Sequence, residues 1–388
     1  MLPRQIGNRS MRICYVADGA SIHTQRWLNY FAKKGHEVHL ICWKLMPGYD
    51  ENIHIHLLTR LAPKIWTVSQ YLSALLWIFQ TRHLVKKIKS DIVDGHFITV
   101  YGFLAACSGF HPLVVSAWGS DILIYPKRNF FFKAITKYAL KRADLVTFNS
   151  EIAKRGLIEL GTNPEKLMLV CNGVDTKEFS PQQRDEGFRG KLGVSKSPTV
   201  ISVRNFKAIY NVEMLIKAVP SVLKQVPETK FIVAGNGEQR EYLTNLANSL
   251  GILGTVRFVG WVSHDELPKY LASSDIYVTT SLSDSSSVSL QEAMACQLAP
   301  VVTDIPANHA WIENGKNGFI VPINDVQMLA DKVICLVKHE YLREEFGRIN
   351  RRIIQERAEY EKQMAEVEKG YRGLEQRDEC PRSKLSAS

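Results

Sequence analysis

Residues 275–304 read DIYVTTSLSDSSSVSLQEAMACQLAPVVTD. The stretch opens on an apolar run, DIYVTT (275–280), and passes through a serine-rich loop. It then enters an apolar helical segment, LQEAMACQL (290–298), and leaves on a second apolar run, APVVTD (299–304). Strand, loop, helix and strand in that order make a βαβ unit, whose two strands lie parallel. Neither run alternates polar with apolar residues, so both strands are expected to be covered on both faces, as in a doubly wound sheet.

The pattern extends along the chain. MRICYVA (11–17), HEVHLICW (36–43), DIVDGHF (91–97), PLVVSAW (112–118), DLVTFNS (144–150) and KLMLVC (166–171) read as strands of a first unit, with helical stretches such as Thr24–Lys34 and Thr67–Lys89 between them. The polar segment SPQQRDEGFRGKLGVSKSP (180–198) then interrupts the alternation. It restarts with TVISV (199–203), KFIVAG (230–235), TVRFVG (255–260) and the opening unit, separated by helical Val212–Gln225, Gln239–Ser249 and His264–Ala272. A charged helical stretch, roughly Asp331–Leu374, and a polar tail expected to be disordered close the chain. The expected fold class is α/β: two Rossmann-like domains with parallel sheets facing a central cleft, over residues 1–185 and 186–360. Residues 361–388 form a C-terminal helix and tail, the helix placed to pack back on the first domain. Ligands of such sheets bind at the carboxyl ends of the strands.

Composition narrows the classes. At 388 residues the chain exceeds one ordinary core. No apolar run approaches the roughly 20 residues that span a bilayer, and the N-terminal MLPRQIGNRS has no apolar signal region, so a cytoplasmic location is expected. The 7 cysteines are scattered without a CxxC pair and read as reduced core residues. The net charge of +10 concentrates in two helical stretches. One carries Arg82, His83, Lys86, Lys87 and Lys89 with Trp77 and Phe79. The other carries Lys127, Arg128, Lys133, Lys137, Lys141 and Arg142 with Phe130, Phe131, Phe132 and Tyr138. Each reads either as a solvated helix face or as contact with an anionic membrane surface. No nucleic-acid-binding pattern accompanies the charge.

The chemistry-bearing residues sit at strand ends. Asp284 and Glu292 flank the start of the LQEAMACQL helix, where backbone N–H groups near Ser287, Val288 and Ser289 can face phosphate. Glu292 reads as a carboxylate accepting from vicinal ribose hydroxyls, or as the acid of a capping box, Ser289-Leu-Gln-Glu292. Asp284 reads as a sugar contact or an Asx-turn. A loop needing both a phosphate grip and a hydroxyl grip fits a nucleotide sugar. Arg204 and Lys207 follow the strand TVISV and could neutralise a leaving diphosphate, or be solvated loop cations. Gly235-Asn-Gly permits close backbone approach or a simple turn, and Gly260-Trp261-Val262 is a candidate rim for a base. In the first half Gly19, His23, His96, Trp118 and Asp121 fall at one sheet edge, as acceptor-side or phosphate-loop candidates, with His96 the candidate catalytic group.

Taken together, CNGVDTKEFSP (171–181), ISVRN (201–205) with LIKA (215–218), FVGWVSHDELPKYLASSDIYV (258–278), the acid pair with EAMAC (284–296) and NGFIVPINDVQMLADKV (317–333) resemble the retaining GT-B glycosyltransferases of family 4, the glycosyl transferases group 1. The resemblance runs from about Met11 to Leu374. It implies hexosyl transfer from a UDP- or GDP-linked sugar with retained configuration, no metal and no cofactor beyond the nucleotide sugar itself. It places Glu292 on ribose, Asp284 on the sugar and Arg204 on the diphosphate. The acceptor is expected to be a glycan or lipid-linked sugar of envelope or surface polysaccharide synthesis, with the enzyme peripheral at the inner face of the cell membrane. The chain departs from the family pattern at four places: Asp284 stands for the usual Glu, Tyr210-Asn211 for Lys-Gly, Gln297 for the Gly after EAMAC, and Trp118 for the His of HGSD. A sugar-nucleotide epimerase-like reaction and a non-catalytic nucleotide-sugar binder are the alternative readings.

Overall fold

The computed structural model describes residues 9–59 and 68–379. Thr67, the first eight residues, Cys380 and the end of the polar tail lie outside them. Among the described residues the strands form two all-parallel sheets. The first holds β1 (Arg12–Val16), β2 (Glu37–Cys42), β3 (Ile53–Leu57), β4 (Ile92–His96), β5 (Leu113–Ser116), β6 (Leu145–Phe148) and β7 (Leu167–Leu169), in the order β3-β2-β1-β4-β5-β6-β7. The second holds β8 (Thr199–Val203), β9 (Lys230–Ala234), β10 (Val256–Gly260), β11 (Ile276–Thr279), β12 (Ala299–Thr303) and β13 (Phe319–Val321), in the order β10-β9-β8-β11-β12-β13. In each sheet the order reverses direction once, beside β1 in the first and β8 in the second. That reversal opens a crevice between the loops after β1 and β4, and another between those after β8 and β11.

Every strand expected from the sequence is present, and two more join them. The edge strand β3 reads IHIHL, which alternates histidine with aliphatic residues and half-exposes them. β13 is only three residues long. Central strands match the unbroken apolar runs: all five residues of β12 are buried, paired with β11 and β13. Helices pay out their apolar stripe onto these faces. Helix Val212–Gln225 buries Val212, Leu215, Ile216, Val219 and Val222, at the i, i+3, i+4, i+7 spacing of one face. Each such side chain contributes about 1.5–3 kcal/mol on burial. The charged stretch after Asp331 divides into the end of Val326–Lys338, then Glu340–Arg357 and Tyr360–Glu379.

The chain separates into two compact units, residues 1–171 with 364–388, and residues 172–363. The first boundary falls earlier than the expected 185/186 because residues 176–189 are tied to the second unit. Arg351 donates to the carbonyls of Thr176 and Phe179 at 3.1 and 3.2 Å, and Arg189 donates to the Ser273 and Val194 carbonyls. From Met364 onward the last helix belongs to the first unit. Tyr371 stacks on Phe31 at 5.3 Å and its hydroxyl donates to the buried Asp94 carboxylate, while Glu368 lies 3.3 Å from His36 Nε2. Among the described residues no helix is long and apolar enough to cross a membrane. The six described cysteines are all free thiols.

Candidate functional site

The crevice of the second sheet assembles charge. Arg204 follows β8 directly, and its backbone N–H is held by the Ala234 carbonyl at 3.1 Å. Its side chain swings toward the loop after β11. There Nε donates to Thr279 Oγ1 at 3.1 Å, and Nη2 donates to Asp284 Oδ2 at 2.8 Å and to the Ser287 hydroxyl. The ring of Tyr210 lies against the guanidinium at 5.2 Å. Burial works against the charge on Arg204, but the Tyr277 and Asp284 side chains beside it outweigh that and raise its pKa. Thus the structure brings together the cation and the first acid that sequence placed 80 residues apart. Asp284 Oδ1 also accepts from the Ser285 N–H at 2.8 Å, so the turn contact and the ionic contact coexist on one carboxylate.

The helix beyond them spans Val288–Ala295, with Ser287 as its N-cap. The Ser287 hydroxyl faces Arg204 and makes no cap bond, so no side chain caps the first turn. Its N–H groups are therefore open to an acceptor at the mouth of the loop. Ser289 is already inside the helix, where its hydroxyl meets Tyr277 Oη at 2.8 Å. This geometry rules out the capping-box reading of Ser289 and Glu292. Glu292 instead lies one turn in, 5% exposed, with His264 Nε2 at 3.5 Å from its Oε1.

The glycine loops hold the frame. Gly235 has φ +151°, and a Cβ there would meet the Arg204 carbonyl at 2.0 Å. Gly237 likewise abuts the Phe206 carbonyl, so the loop after β9 presses against the loop carrying Arg204. Gly235 N–H donates to the Gly260 carbonyl at 2.7 Å, which ties in the loop after β10. Trp261 is 72% exposed and Val262 half-buried beyond it. Lys207 is exposed, and none of the polar contacts described around Arg204 involves it. Two of the family departures keep the backbone that glycine would favour. Asn211 has φ 47° and Gln297 has φ 65°, both left-handed.

The candidates of the first unit are placed differently. Gly19 packs its backbone on the segment after β2: a Cβ there would meet the Lys44 carbonyl at 2.4 Å, and its own carbonyl accepts from Met46 N–H and Tyr49 Oη. Asp121 is fully enclosed and spends its carboxylate on the N–H groups of Ile98, Trp118 and Gly119 at 2.8–3.0 Å. Burial pushes its pKa up to about 6 against those bonds. It staples the loop and presents no acid outward. His23 stacks on Trp118 at 5.1 Å, and His96 packs among Tyr15, Trp27 and Trp118 with neither ring nitrogen hydrogen-bonded.

Two residue groups were not singled out from the sequence. Thr279, at the end of β11, and the Ser287 hydroxyl hold Arg204; neither residue type gives a signal of such a role. His264, next to Glu292, lay in the quoted stretch FVGWVSHDELPKYLASSDIYV as one of several polar residues. Two clusters have the ligand types and spacing for a cation, Glu37-His39-His54 and Glu178-His264-Asp265, with their atoms within 4.8 Å of one another. Arg12 already pairs with Glu37 at 2.7 Å and offsets the charge of the first.

Comparison with known proteins gives a coherent result. The family described as glycosyl transferases group 1 matches residues 184–353, and that described as glycosyl transferase 4-like matches residues 12–150. N-acetyl-alpha-D-glucosaminyl L-malate synthase of Bacillus anthracis is 24% identical over 88% of this chain and 90% of its own length. The UDP-Gal:alpha-D-GlcNAc-diphosphoundecaprenol alpha-1,3-galactosyltransferase of Escherichia coli is 23% identical over 79% of this chain and 81% of its own. The crystal structure of Anabaena HepE in complex with UDP superposes with a TM-score of 0.78 at 17% identity, covering 94% of this chain and all of that one.

Proposed function

The chain belongs to the group 1 glycosyltransferases and has their GT-B fold; from that premise we propose that it moves a hexosyl group from a UDP- or GDP-linked sugar to a glycan or lipid-linked acceptor, with retained configuration and without a metal. The observation that carries the donor assignment is the junction of Arg204, Asp284 and Ser287 at the uncapped start of helix Val288–Ala295. A nucleoside diphosphate needs cation and N–H donors for its phosphates and an acceptor for its ribose hydroxyls. Arg204, the first-turn N–H groups and Glu292 supply these within one loop and helix.

The residues then act as follows. Arg204 enters the reaction already held by Thr279 and Asp284, so little rearrangement is needed when charge grows on the departing diphosphate. Asp284 keeps the guanidinium aimed and, through its remaining acceptor capacity, holds hydroxyls of the transferred sugar. The leaving phosphate oxygen takes the proton of the acceptor hydroxyl, so no nucleophile from the chain is required. Lys207 supplies exposed positive charge near the mouth. Tyr210, where the family has Lys, replaces a phosphate cation by a ring that steadies Arg204.

The relatives support the acceptor class, since the galactosyltransferase of Escherichia coli is named for a diphosphoundecaprenol acceptor. The first unit adds a surface suited to anionic lipid. In helix Phe130–Arg142, Phe130 and Phe131 are 85% and 61% exposed, with exposed Lys133, Lys137 and Lys141 beside them. An apolar wedge with interleaved lysines binds an anionic interface through both terms.

Turnover with UDP- and GDP-sugars, followed by product analysis, tests the reading. Arg204→Ala should lower kcat about 100-fold or more, as loss of an oxyanion donor does. Nucleotide-sugar binding with no transfer to any acceptor would favour the non-catalytic reading, and an altered free nucleotide sugar would favour the epimerase-like one.

A further inference from the structure

His264 occupies a place that neither the fold nor the diphosphate grip accounts for. It lies in the loop between β10 and helix Leu267–Ala272. Its Nε2 is 3.5 Å from Glu292 Oε1, and its Nδ1 is 3.7 Å from Glu178 Oε1. Nε2 is buried and makes no hydrogen bond within the described residues. The ring is not free to turn away, because Phe179 packs edge-on against it at 5.2 Å. Arg351 fixes the two flanks. It donates to the Thr176 and Phe179 carbonyls on the Glu178 side, and to the Ala295 carbonyl at the far end of the helix that carries Glu292. An imidazole thus lies between two carboxylates, one ring nitrogen toward each, and neither approach is closed to a hydrogen bond.

We infer that His264 is a positioning residue for Glu292: with a proton on Nε2, it orients the carboxylate so that it can accept from both ribose hydroxyls. The inference rests on the reading of Glu292 as the ribose acceptor. A carboxylate on a helix has a free χ3 rotor, so an isolated Glu292 would meet the two vicinal hydroxyls in only part of its rotamers. A donor 3.5 Å from one oxygen closes to hydrogen-bond distance with a shift of about 0.5 Å and pins that rotor. Selectivity follows from the same arrangement, because a site built around buried hydroxyl acceptors penalises a ligand that lacks the hydroxyl. This role differs from a merely structural one in what it affects. A structural histidine would change all nucleotide affinities together, whereas a positioning one changes the preference for ribose over deoxyribose.

The experiment is calorimetry with UDP, GDP and their 2′-deoxy counterparts on the intact chain and on Glu292→Gln, His264→Phe and His264→Gln. The nucleotide that binds the unaltered protein should bind about 10-fold or more tighter than its 2′-deoxy form. Glu292→Gln should abolish that ratio. His264→Phe, which keeps the packing on Phe179, should reduce it to near unity while leaving affinity for the deoxy form unchanged. His264→Gln, with a donor retained, should restore part of it. A ribose preference lost in Glu292→Gln but intact in His264→Phe would overturn the role of His264 and leave the function standing. Absence of any ribose preference in the unaltered protein, or its survival in Glu292→Gln, would overturn the ribose assignment itself.

Discussion

The two sheets place a crevice at the same topological position and fill it with opposite chemistry. After β8 and β11 the crevice holds Arg204, Asp284, Ser287 and the open start of a helix, a polar set with hydrogen-bonding capacity to spare. After β1 and β4 the corresponding place is packed with Tyr15, Trp27, His96 and Trp118. The acid nearby, Asp94, is sealed by Ser116 at 3.0 and 3.1 Å and by Tyr371. The same strand order therefore does not dictate the same ligand. Topology provides the position; the residues at the strand ends decide whether it gathers charged and polar groups or presents an aromatic floor.

The sharpest way to break this contrast is to remove charge from one crevice and packing from the other. Asp284→Ala should leave Arg204 as a poorly solvated, unpaired cation, costing about 3 kcal/mol of stability in the second unit together with most of the turnover. Arg204→Lys keeps the charge but not the fork, so it should fold normally and still lose at least about 10-fold in kcat. In the first unit Tyr371→Phe takes one donor from buried Asp94 and should cost about 1–3 kcal/mol in chemical denaturation, with nucleotide affinity unchanged.

Acidification separates the units more gently. His36, His39 and His56 belong to the first unit, and burial lowers the pKa of each. A histidine depressed in the fold stays neutral there while the unfolded chain takes up a proton. Its contribution is complete above about pH 6.5 and is lost as pH falls through the lower folded values. Asp121, raised to about 6, acts in the opposite sense as pH falls through that value, and the comparison of the two sheets reads the net result. Amide exchange at pH 7.5 and 5.5 should show β1–β6 losing protection relative to β8–β12. Equal losses in both sheets would remove the difference. The smallest effect concerns the left-handed Gln297: Gln297→Gly should stabilise the second unit by about 1 kcal/mol, seen as a rise in Tm.

Much of this was legible in the sequence, for reasons the structure makes plain. Parallel strands buried on both faces print themselves as apolar runs, so β12 and β4 were readable, whereas β3, exposed on one side and rich in histidine, was not. The acids of the second crevice were visible because loop, acid and helix follow one another in the chain. Their partners were not, because the contact of Arg204 with Asp284 depends on the β8–β11 pairing rather than on spacing. His264 was hidden for the same reason, being brought to Glu292 by the turn after β10. In the first unit, spacing suggested an accessible Asp121, and burial turned it into an internal staple. The domain boundary was displaced because a polar segment can be anchored by arginine on carbonyls as firmly as an apolar one is by packing.

The central claim is that the second crevice grips a nucleoside diphosphate through Arg204. Calorimetry of UDP and UMP, and of GDP and GMP, on the intact chain and on Arg204→Ala tests it most directly. One diphosphate should bind at least about 10-fold more tightly than its monophosphate, and Arg204→Ala should bring the two together. Equal affinity for mono- and diphosphate in the unaltered protein, or a preference that survives the loss of Arg204, would contradict the account.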